Sequence, residues 1–201
     1  MKILIACEYS GIVRGAFAAK GHDAWSCDLL PTEQLGQHIQ GDVLEILDDG
    51  WDLMIAHPPC TYLAVSGARW FKYRRKEQED ALEFVRKLMD APIEMIAIEN
   101  PISVISTKIR KPDQIIQPWM FGHFESKATC LWLKGLPHLA PTNIVEPDYM
   151  RNPDGSVYRD AKGSRYSKIH YLSRWKKDRG KLRSRTYGGI AEAMSAQWNF
   201  D

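Results

Sequence analysis

The sequence predicts an α/β protein built on a doubly wound, mostly parallel β-sheet. Two observations support this fold. Short apolar runs of strand length recur between residues 1 and 136, and segments with helical periodicity separate several of them. The chain is also of ordinary composition for a globular domain, with 44% hydrophobic and 26% charged residues among 201. Because its longest apolar runs are strand-length, we expect no membrane-spanning segment.

Six strands and three helices are predicted. The strands span residues 2–7, 23–28, 37–40, 51–57, 94–100 and 128–133. The first helix begins near Ile12, with Ile12, Ala16 and Ala19 on its apolar face, and Gly21 ends it. The other two helices span residues 76–91 and 189–198, where apolar residues recur every three or four positions. For the helix over residues 76–91, the predicted apolar face consists of Ala81, Phe84, Val85 and Leu88.

The regular pattern ends at Pro137 and resumes only near the C-terminus. We therefore expect a core over residues 1–136, a short basic recognition-like segment over residues 137–182, and a C-terminal helix over residues 183–201 that returns to the core. From Arg151 to Arg185 the chain has twelve Lys or Arg residues and three Asp residues, a formal charge of +9, against −7 for the rest. This asymmetry favours a surface that faces a polyanion such as DNA, although a solvated basic tail has the same composition.

The cysteines and the N-terminus restrict the class of protein further. Cys7, Cys27, Cys60 and Cys130 are too few and too scattered for a disulfide scaffold, and no cysteine pair has zinc-ligand spacing, so we expect no metal. Met1 leads directly into the first strand without a signal-peptide pattern. We expect a cytoplasmic protein of a bacterial host or of a phage-infected cell. We also expect a monomer, and a dimer is left open.

Acidic and small residues follow the first three predicted strands. A tight turn, Cys7-Glu8-Tyr9-Ser10-Gly11, follows the first strand; Asp28 ends the second, and Gly41-Asp42 follows the third. Nucleoside-binding folds place a ribose-binding carboxylate at the end of the second strand. Each carboxylate alone is more typical of a turn, but carboxylates at three successive strand ends favour a nucleoside-type cofactor.

The fourth and fifth predicted strands end in the residues with the most specific chemistry. Pro58-Pro59-Cys60 follows the fourth strand, and Glu99-Asn100-Pro101 ends the fifth. If these strands are neighbours, Cys60 and Glu99 reach the same crevice. A thiolate that adds to carbon 6 of cytosine, beside a carboxyl group that donates to ring nitrogen 3, makes carbon 5 able to attack an electrophilic methyl group.

In its motifs the chain resembles the cytosine-5 DNA methyltransferases, the bacterial and phage family that uses S-adenosylmethionine. "ACEYSGIVRGAF" corresponds to the F-x-G-x-G turn of the family, and "GDV" at residues 41–43 corresponds to G-D-I. "HPPCTYLAVSG" resembles P-C-Q-x-F-S-x-S-G, "IENP" resembles E-N-V, and "RSRTYGGIAEAM" resembles the last motif. The ending "DRGKLRSRTYGGIAEAMSAQW" resembles that of compact phage and prophage members. The resemblance implies a Rossmann-like sheet of the methyltransferase type.

The resemblance also implies roles for individual residues. It makes Cys60 the nucleophile and Glu99 the acid that contacts the base. The implied contacts with S-adenosylmethionine are Tyr9, Ser10, Gly11, Ile12, Asp28, Asp42, Val43, Pro58, Gly188 and Gly189. The implied partner is duplex DNA with a cytosine flipped out of the helix.

This sequence departs from the family pattern at several positions. Val13 and Arg14 replace two glycines of the cofactor turn, Thr61 replaces a glutamine, and Gly189 stands where the family has asparagine. The Arg-x-Arg pair that precedes the sixth strand in the family is missing, and whether Lys127, Arg183 or Arg185 replaces it is open. The recognition region is also short, about 45 residues, which predicts a brief target site or low specificity.

A loop of mixed basic and aromatic residues follows Cys60. "ARWFKYRRK", residues 68–76, has the composition of a segment that contacts phosphates and stacks on bases. The same composition also suits the first turn of the following helix with its aromatic rings in the core. The residues predicted to contact DNA are Ser66, Arg69, Lys72, Arg74, Arg75, Lys127, Arg165, Arg174, Arg183 and Arg185.

Three other functions fit parts of the sequence. A methyltransferase or related enzyme that acts on a free pyrimidine nucleotide would need no large recognition region. An amino-group methyltransferase would use a [DNS]-P-P-[YFW] motif, which "HPPC" approaches but in which cysteine is a poor stacking residue. A non-catalytic DNA-binding relative would explain the altered glycines.

Overall fold

A single seven-stranded sheet forms the centre of the computed structural model, which describes residues 1–167 and 185–200. The strands are β1 (Lys2–Ala6), β2 (Asp23–Asp28), β3 (His38–Gln40), β4 (Leu53–Ala56), β5 (Met95–Pro101), β6 (Gln114–Ile116) and β7 (Thr129–Lys134). Their order across the sheet is β3-β2-β1-β4-β5-β7-β6. β1 to β5 pair in parallel, and β7 runs antiparallel between β5 and β6. The predicted α/β fold, with a doubly wound and mostly parallel Rossmann-like sheet, is confirmed.

Helices cover both faces of the sheet. They are α1 (Ile12–Ala18), α2 (Arg75–Met89), α3 (Ile105–Lys108) and α4 (Gly188–Gln197), and short 3₁₀ segments span Val43–Glu45, Val65–Tyr73 and Pro118–Met120. One apolar layer joins α2 to alternate residues of β1, β4 and β5, while the other joins α1 and α4 to the opposite face. Ile3, Leu4, Ile5 and Ala6 of the central strand β1 are completely buried, as expected for a parallel strand covered on both faces.

One strand was missed: β6 was not predicted, because its three residues carry no readable alternation, and the sixth predicted strand is therefore β7. In α1 the predicted Ile12 and Ala16 are half-buried against the apolar layer, but Ala19 is exposed and the buried residues are Val13, Arg14 and Phe17. In α2 the predicted face packs against the core, with Val85 and Leu88 buried and Ala81 and Phe84 half-buried, and it also includes the buried Leu82.

Arg14 is a charged residue inside the structure, 2% exposed. Its guanidinium donates hydrogen bonds of 2.8 to 3.4 Å to Ser26, Thr32 and three backbone carbonyls in the loop between β2 and β3. The three carbonyls belong to Gln34, Leu35 and Gln37. Arg14 therefore fixes the β2–β3 loop against α1.

We predict that Arg14→Met lowers the free energy of unfolding by about 3 kcal/mol, because it removes the hydrogen bonds to the β2–β3 loop and leaves the buried Ser26 hydroxyl without this donor. The measurement is urea denaturation at neutral pH. Arg86→Met is the control, since Arg86 pairs with Glu79 and Glu83 on the surface of α2 and its loss should change stability far less. Equal losses in the two variants would contradict the anchoring role of Arg14.

Candidate functional site

The carboxyl ends of β1, β2, β4 and β5 meet at one edge of the sheet. In the register of the parallel pairs, Ala6 lies beside Cys27 and beside Ala56, and Ala56 lies beside Ile98. The residues that follow these positions are therefore the ones that gather at this edge. They include the β1–α1 turn, Asp28, the His57-Pro58-Pro59-Cys60 segment and Glu99.

The turn between β1 and α1 is organised by a buried carboxylate. Glu8, 4% exposed, accepts hydrogen bonds from the Val13 and Arg14 backbone amides at 2.8 and 3.2 Å and from the Ser10 hydroxyl at 3.0 Å. Gly11 precedes the helix with φ of 72°, a left-handed conformation that favours glycine. Glu8 thus occupies the helix N-terminus, the position at which dinucleotide-binding folds hold a phosphate.

Two carboxylates follow at the ends of the neighbouring strands. Asp28 accepts a hydrogen bond from the Leu30 amide and Asp42 from the Leu44 amide, so one oxygen of each shapes a turn. Burial and, to a smaller extent, the charges of Asp28 and Asp42 raise the pKa of the Cys7 thiol. The same effects raise the pKa of the Cys27 thiol to about 11. Both carboxylates therefore lie in range of the same two thiols, and these thiols stay protonated at neutral pH.

A small cavity lies beside the β1–α1 turn. It has a volume of about 60 Å³ and is lined by Cys7, Glu8, Tyr9, Ser10, His57, Arg185 and Thr186. The guanidinium of Arg185 contacts the Glu33 carboxylate at 2.5 Å, and the Glu33 amide donates to the Tyr9 carbonyl at 2.8 Å. Arg185 thereby connects the C-terminal segment to the β2–β3 loop at the rim of the site.

His57 and Glu99 form a pair at the centre of the edge. His57 Nδ1 lies 2.7 Å from Glu99 Oε2, and their side chains are only 11% and 15% exposed. Burial alone would raise the pKa of Glu99, but the hydrogen bond and charge of His57 outweigh it and hold that pKa below its usual value. For His57 the effect of burial is likewise outweighed by Glu99, so its pKa is raised. Each partner therefore favours the charged form of the other.

The segment that carries Cys60 is tied to the end of β5. The buried Asn100 side chain donates to the Pro58 carbonyl at 2.8 Å, and Cys60 begins a turn in which its carbonyl accepts from Leu63 and Ala64. Beyond the turn, Ala64 pairs with Ser103 in an isolated bridge. Cys60 is the exposed cysteine of the four, while Cys27 and Cys130 are buried. The loops after β4 and β5 therefore form one connected unit.

The basic and aromatic segment after Cys60 forms the 3₁₀ region Val65–Tyr73 and presents its rings to solvent. Trp70 is 53% and Tyr73 68% exposed, and their rings lie 6.5 Å apart. Arg69 lies over the Trp70 ring and Lys72 over the Tyr73 ring. Burial of these two rings in the core is thus excluded. Ser66, Arg74 and Arg75 are exposed nearby, with Arg75 as the first residue of α2.

The other residues predicted to contact DNA are more dispersed. Lys127, which precedes β7, acts electrostatically on both His57 and Glu99 and lies 5.7 Å from the Tyr187 ring centre. Arg165 is exposed and lies over the Tyr149 ring. Arg174 and Arg183 lie outside the described residues. Of the candidates for the missing Arg-x-Arg pair, Lys127 is therefore near the acid, and Arg185 lines the cavity.

The predicted cofactor residues are not all in one place. Tyr9 and Ser10 line the small cavity, whereas Ile12 and Gly188 line a separate groove of about 570 Å³ between α1 and α4. Val43 is buried in the core, and Pro58 is buried at the strand end. The amide of Gly189 donates to His123 Nε2 at 2.9 Å. Asp28 and Asp42 lie at the same edge of the sheet as the small cavity.

The sequence analysis gave His57 no role, although a titratable residue next to a buried strand end is itself a signal of a specific partner. Glu8 and Arg14 were noted, but their buried contacts were not predicted. Among the described residues, no group of three or more His, Cys, Asp or Glu side chains is arranged to hold a metal ion. None of the helices in residues 1–167 and 185–200 has the length and apolar character needed to cross a membrane.

The two adjacent glycines at the start of α4 provide a matched test of packing. A Cβ at Gly189 would overlap the Phe121 carbonyl oxygen, whereas a Cβ at Gly188 would meet no atom within 4 Å. We predict that Gly189→Ala lowers the free energy of unfolding by about 1–3 kcal/mol, because the backbone at Phe121 must shift. Gly188→Ala should leave stability unchanged or raise it by up to about 1 kcal/mol. Urea denaturation of both variants measures this, and a similar loss at both positions would refute the role of close packing.

No protein-family model matches the chain, and the comparison with curated proteins finds no match. Among solved structures, the chain is similar to one described as a proposed DNA modification methyltransferase encoded within an E. coli prophage. The identity is 13% and the TM-score 0.46, over 72% of this chain and 51% of that chain. This chain thus aligns with about half of the length of that structure. A match this distant does not identify a reaction, so the residues of the site must indicate it.

Proposed function

We propose that this protein is a DNA methyltransferase that uses S-adenosylmethionine to methylate carbon 5 of cytosine. The observation that carries the proposal is the connection between the loop after β4, which bears the exposed thiol of Cys60, and the end of β5, which bears the largely buried carboxyl group of Glu99. A nucleophile and an acid at the ends of adjacent strands suit addition across a pyrimidine ring.

The chemistry of the residues follows from the electronic structure of cytosine. The Cys60 thiolate forms a bond to carbon 6, the ring electrons move toward nitrogen 3, and nitrogen 3 takes a proton from the acid at Glu99. Carbon 5 is then nucleophilic. Loss of the proton of carbon 5 to solvent, expulsion of the Cys60 thiolate and return of the proton from nitrogen 3 restore the aromatic ring after carbon 5 has been alkylated.

The residues at the ends of β1, β2 and β3 fit a cofactor of the adenosine type without a phosphate. Glu8 fills the N-terminus of α1, so a phosphate there would meet a buried negative charge. Asp28 and Asp42 supply the carboxylates that suit ribose hydroxyls and an adenine amino group. S-adenosylmethionine has these groups, a cationic sulfur and no phosphate, and when bound it supplies an electrophilic methyl group.

The exposed segment Val65–Tyr73 supports DNA as the substrate. Its guanidinium and ammonium groups suit phosphates, and its exposed rings suit stacking beside a displaced base. A cytosine inside a duplex is inaccessible to a thiol on the protein, so the proposal requires that the base leaves the helix. The basic stretch from Arg151 to Arg185 adds positive charge to the same chain.

We predict that Cys60→Ala abolishes the covalent adduct with DNA that contains 5-fluorocytosine, in the presence of S-adenosylmethionine. Fluorine at carbon 5 blocks the final proton loss, so a working thiol stays attached and the complex survives denaturing electrophoresis. Cys27→Ala, which removes a buried thiol, should keep most of the adduct. An unchanged adduct in Cys60→Ala would exclude this mechanism.

The same assay separates DNA from a free nucleotide as substrate. We expect labelled S-adenosylmethionine to methylate duplex DNA and not deoxycytidine monophosphate. Efficient methylation of the mononucleotide with none of DNA would instead support the nucleotide-modifying enzyme. Mass spectrometry of the nucleosides identifies the product in each case.

We predict that Arg69→Gln and Lys72→Gln each weaken duplex binding roughly threefold to tenfold at low salt, because each removes one phosphate contact. For the same reason, each should reduce the number of counterions released on binding by about one, which lowers the slope of log affinity against log salt concentration. Fluorescence anisotropy with a labelled duplex at several salt concentrations measures both effects. Lys87→Gln on α2 is the control for charge alone. A loss of the same size in Lys87→Gln would show that net charge, and not this segment, determines binding.

A further inference from the structure

We infer that His57 is a positioning residue that supplies the proton Glu99 needs when Glu99 acts on nitrogen 3 of the base. This inference rests on the proposed function and extends it to a residue that the motifs leave without a role. Its basis is the buried contact of 2.7 Å between His57 Nδ1 and Glu99 Oε2.

The proton balance of the reaction creates the need for such a residue. Addition of the thiolate to carbon 6 requires that nitrogen 3 gains one proton. A carboxylic acid in water has lost its proton well below neutral pH. A histidine that shares one proton with the carboxylate keeps it available, since imidazolium with carboxylate and imidazole with carboxylic acid differ only in the position of that proton.

The fold holds His57 in this position from two sides. Its backbone amide donates to the Ala6 carbonyl of β1 at 2.9 Å, and the next residue, Pro58, accepts from the Asn100 side chain. Residues 57 and 99 thus stand side by side, one step beyond the paired residues Ala56 and Ile98. The pair is therefore set by the parallel register of β4 and β5 and not by a flexible loop.

The other charged groups that face the pair come from the neighbouring elements. Glu8 of the β1–α1 turn favours a charged His57, and Lys127, which precedes β7, opposes it. Arg185 and Cys7 line the cavity beside His57. His57 Nε2 is buried, and no polar atom of the described residues lies within hydrogen-bond distance of it. The cavity of about 60 Å³ is large enough for roughly two water molecules, which suit this nitrogen.

The first test is a titration of His57 by NMR in the full-length protein with ¹⁵N-labelled histidine rings. His57→Gln identifies the signal. We expect the pKa of His57 to lie above 6.5 in the wild type and to fall by about one pH unit or more in Glu99→Gln, because burial without a carboxylate disfavours the charged ring. Glu94→Gln, an exposed site just before β5, is the matched control and should leave the titration unchanged. Identical titrations in the wild type and Glu99→Gln would overturn the inference.

The second test is the pH dependence of the trapping rate on 5-fluorocytosine DNA. At pH 6 the wild type and His57→Gln should differ by less than about threefold. At pH 8 the rate of His57→Gln should be about tenfold or more below that of the wild type, because the pair keeps its proton up to the raised pKa of His57, whereas the carboxyl group alone keeps it only as far as burial raises its own pKa. A reduction by the same factor at every pH would indicate a structural role only and overturn the inference. If the wild type forms no adduct at any pH, the proposed function fails, and the NMR titration still decides whether His57 and Glu99 share a proton.

Discussion

The parallel pairing of β1 with β2 and β4, and of β4 with β5, is the constraint on which the site depends. Parallel strands end at the same edge, so residues separated by many positions in the chain come together without any specific contact between them. The buried apolar side chains of β1 hold this arrangement, since both helical layers pack against that strand. This pairing determines which residues lie at the edge, namely Glu8, Asp28, His57 and Glu99.

Much of this arrangement was predictable from the sequence. β1, β4 and β5 have the continuous apolar character that is typical of strands covered on both faces of a sheet, and the residues after each strand then mark the edge. The sequence analysis assumed that the fourth and fifth strands are neighbours, and the structure pairs them in parallel. β6 was not predictable, because its position depends on pairing with β7 rather than on its own three residues.

Two residues show why part of the site escaped prediction. Arg14 lies at a helical position where a charged side chain normally faces solvent, and the carbonyl groups of the β2–β3 loop and the hydroxyls of Ser26 and Thr32 make its burial favourable. Gly189 departs from the motif that its segment resembles, and its space is limited by the Phe121 carbonyl, which is 68 residues earlier in the chain. Long-range contacts of this kind leave no periodic signal in the sequence.

The contacts of the Gln197 side chain affect how this fold accommodates additional residues. Its amide group both donates to and accepts from the backbone of Ala140, at 2.9 and 2.7 Å, so it clamps α4 to the point where the regular core ends. These hydrogen bonds join the two ends of the segment from Ala140 to Gln197. Additional residues inserted within this segment leave its two ends in place, and the cost in closure entropy grows only slowly with length. A longer segment at this point is therefore compatible with the same sheet edge.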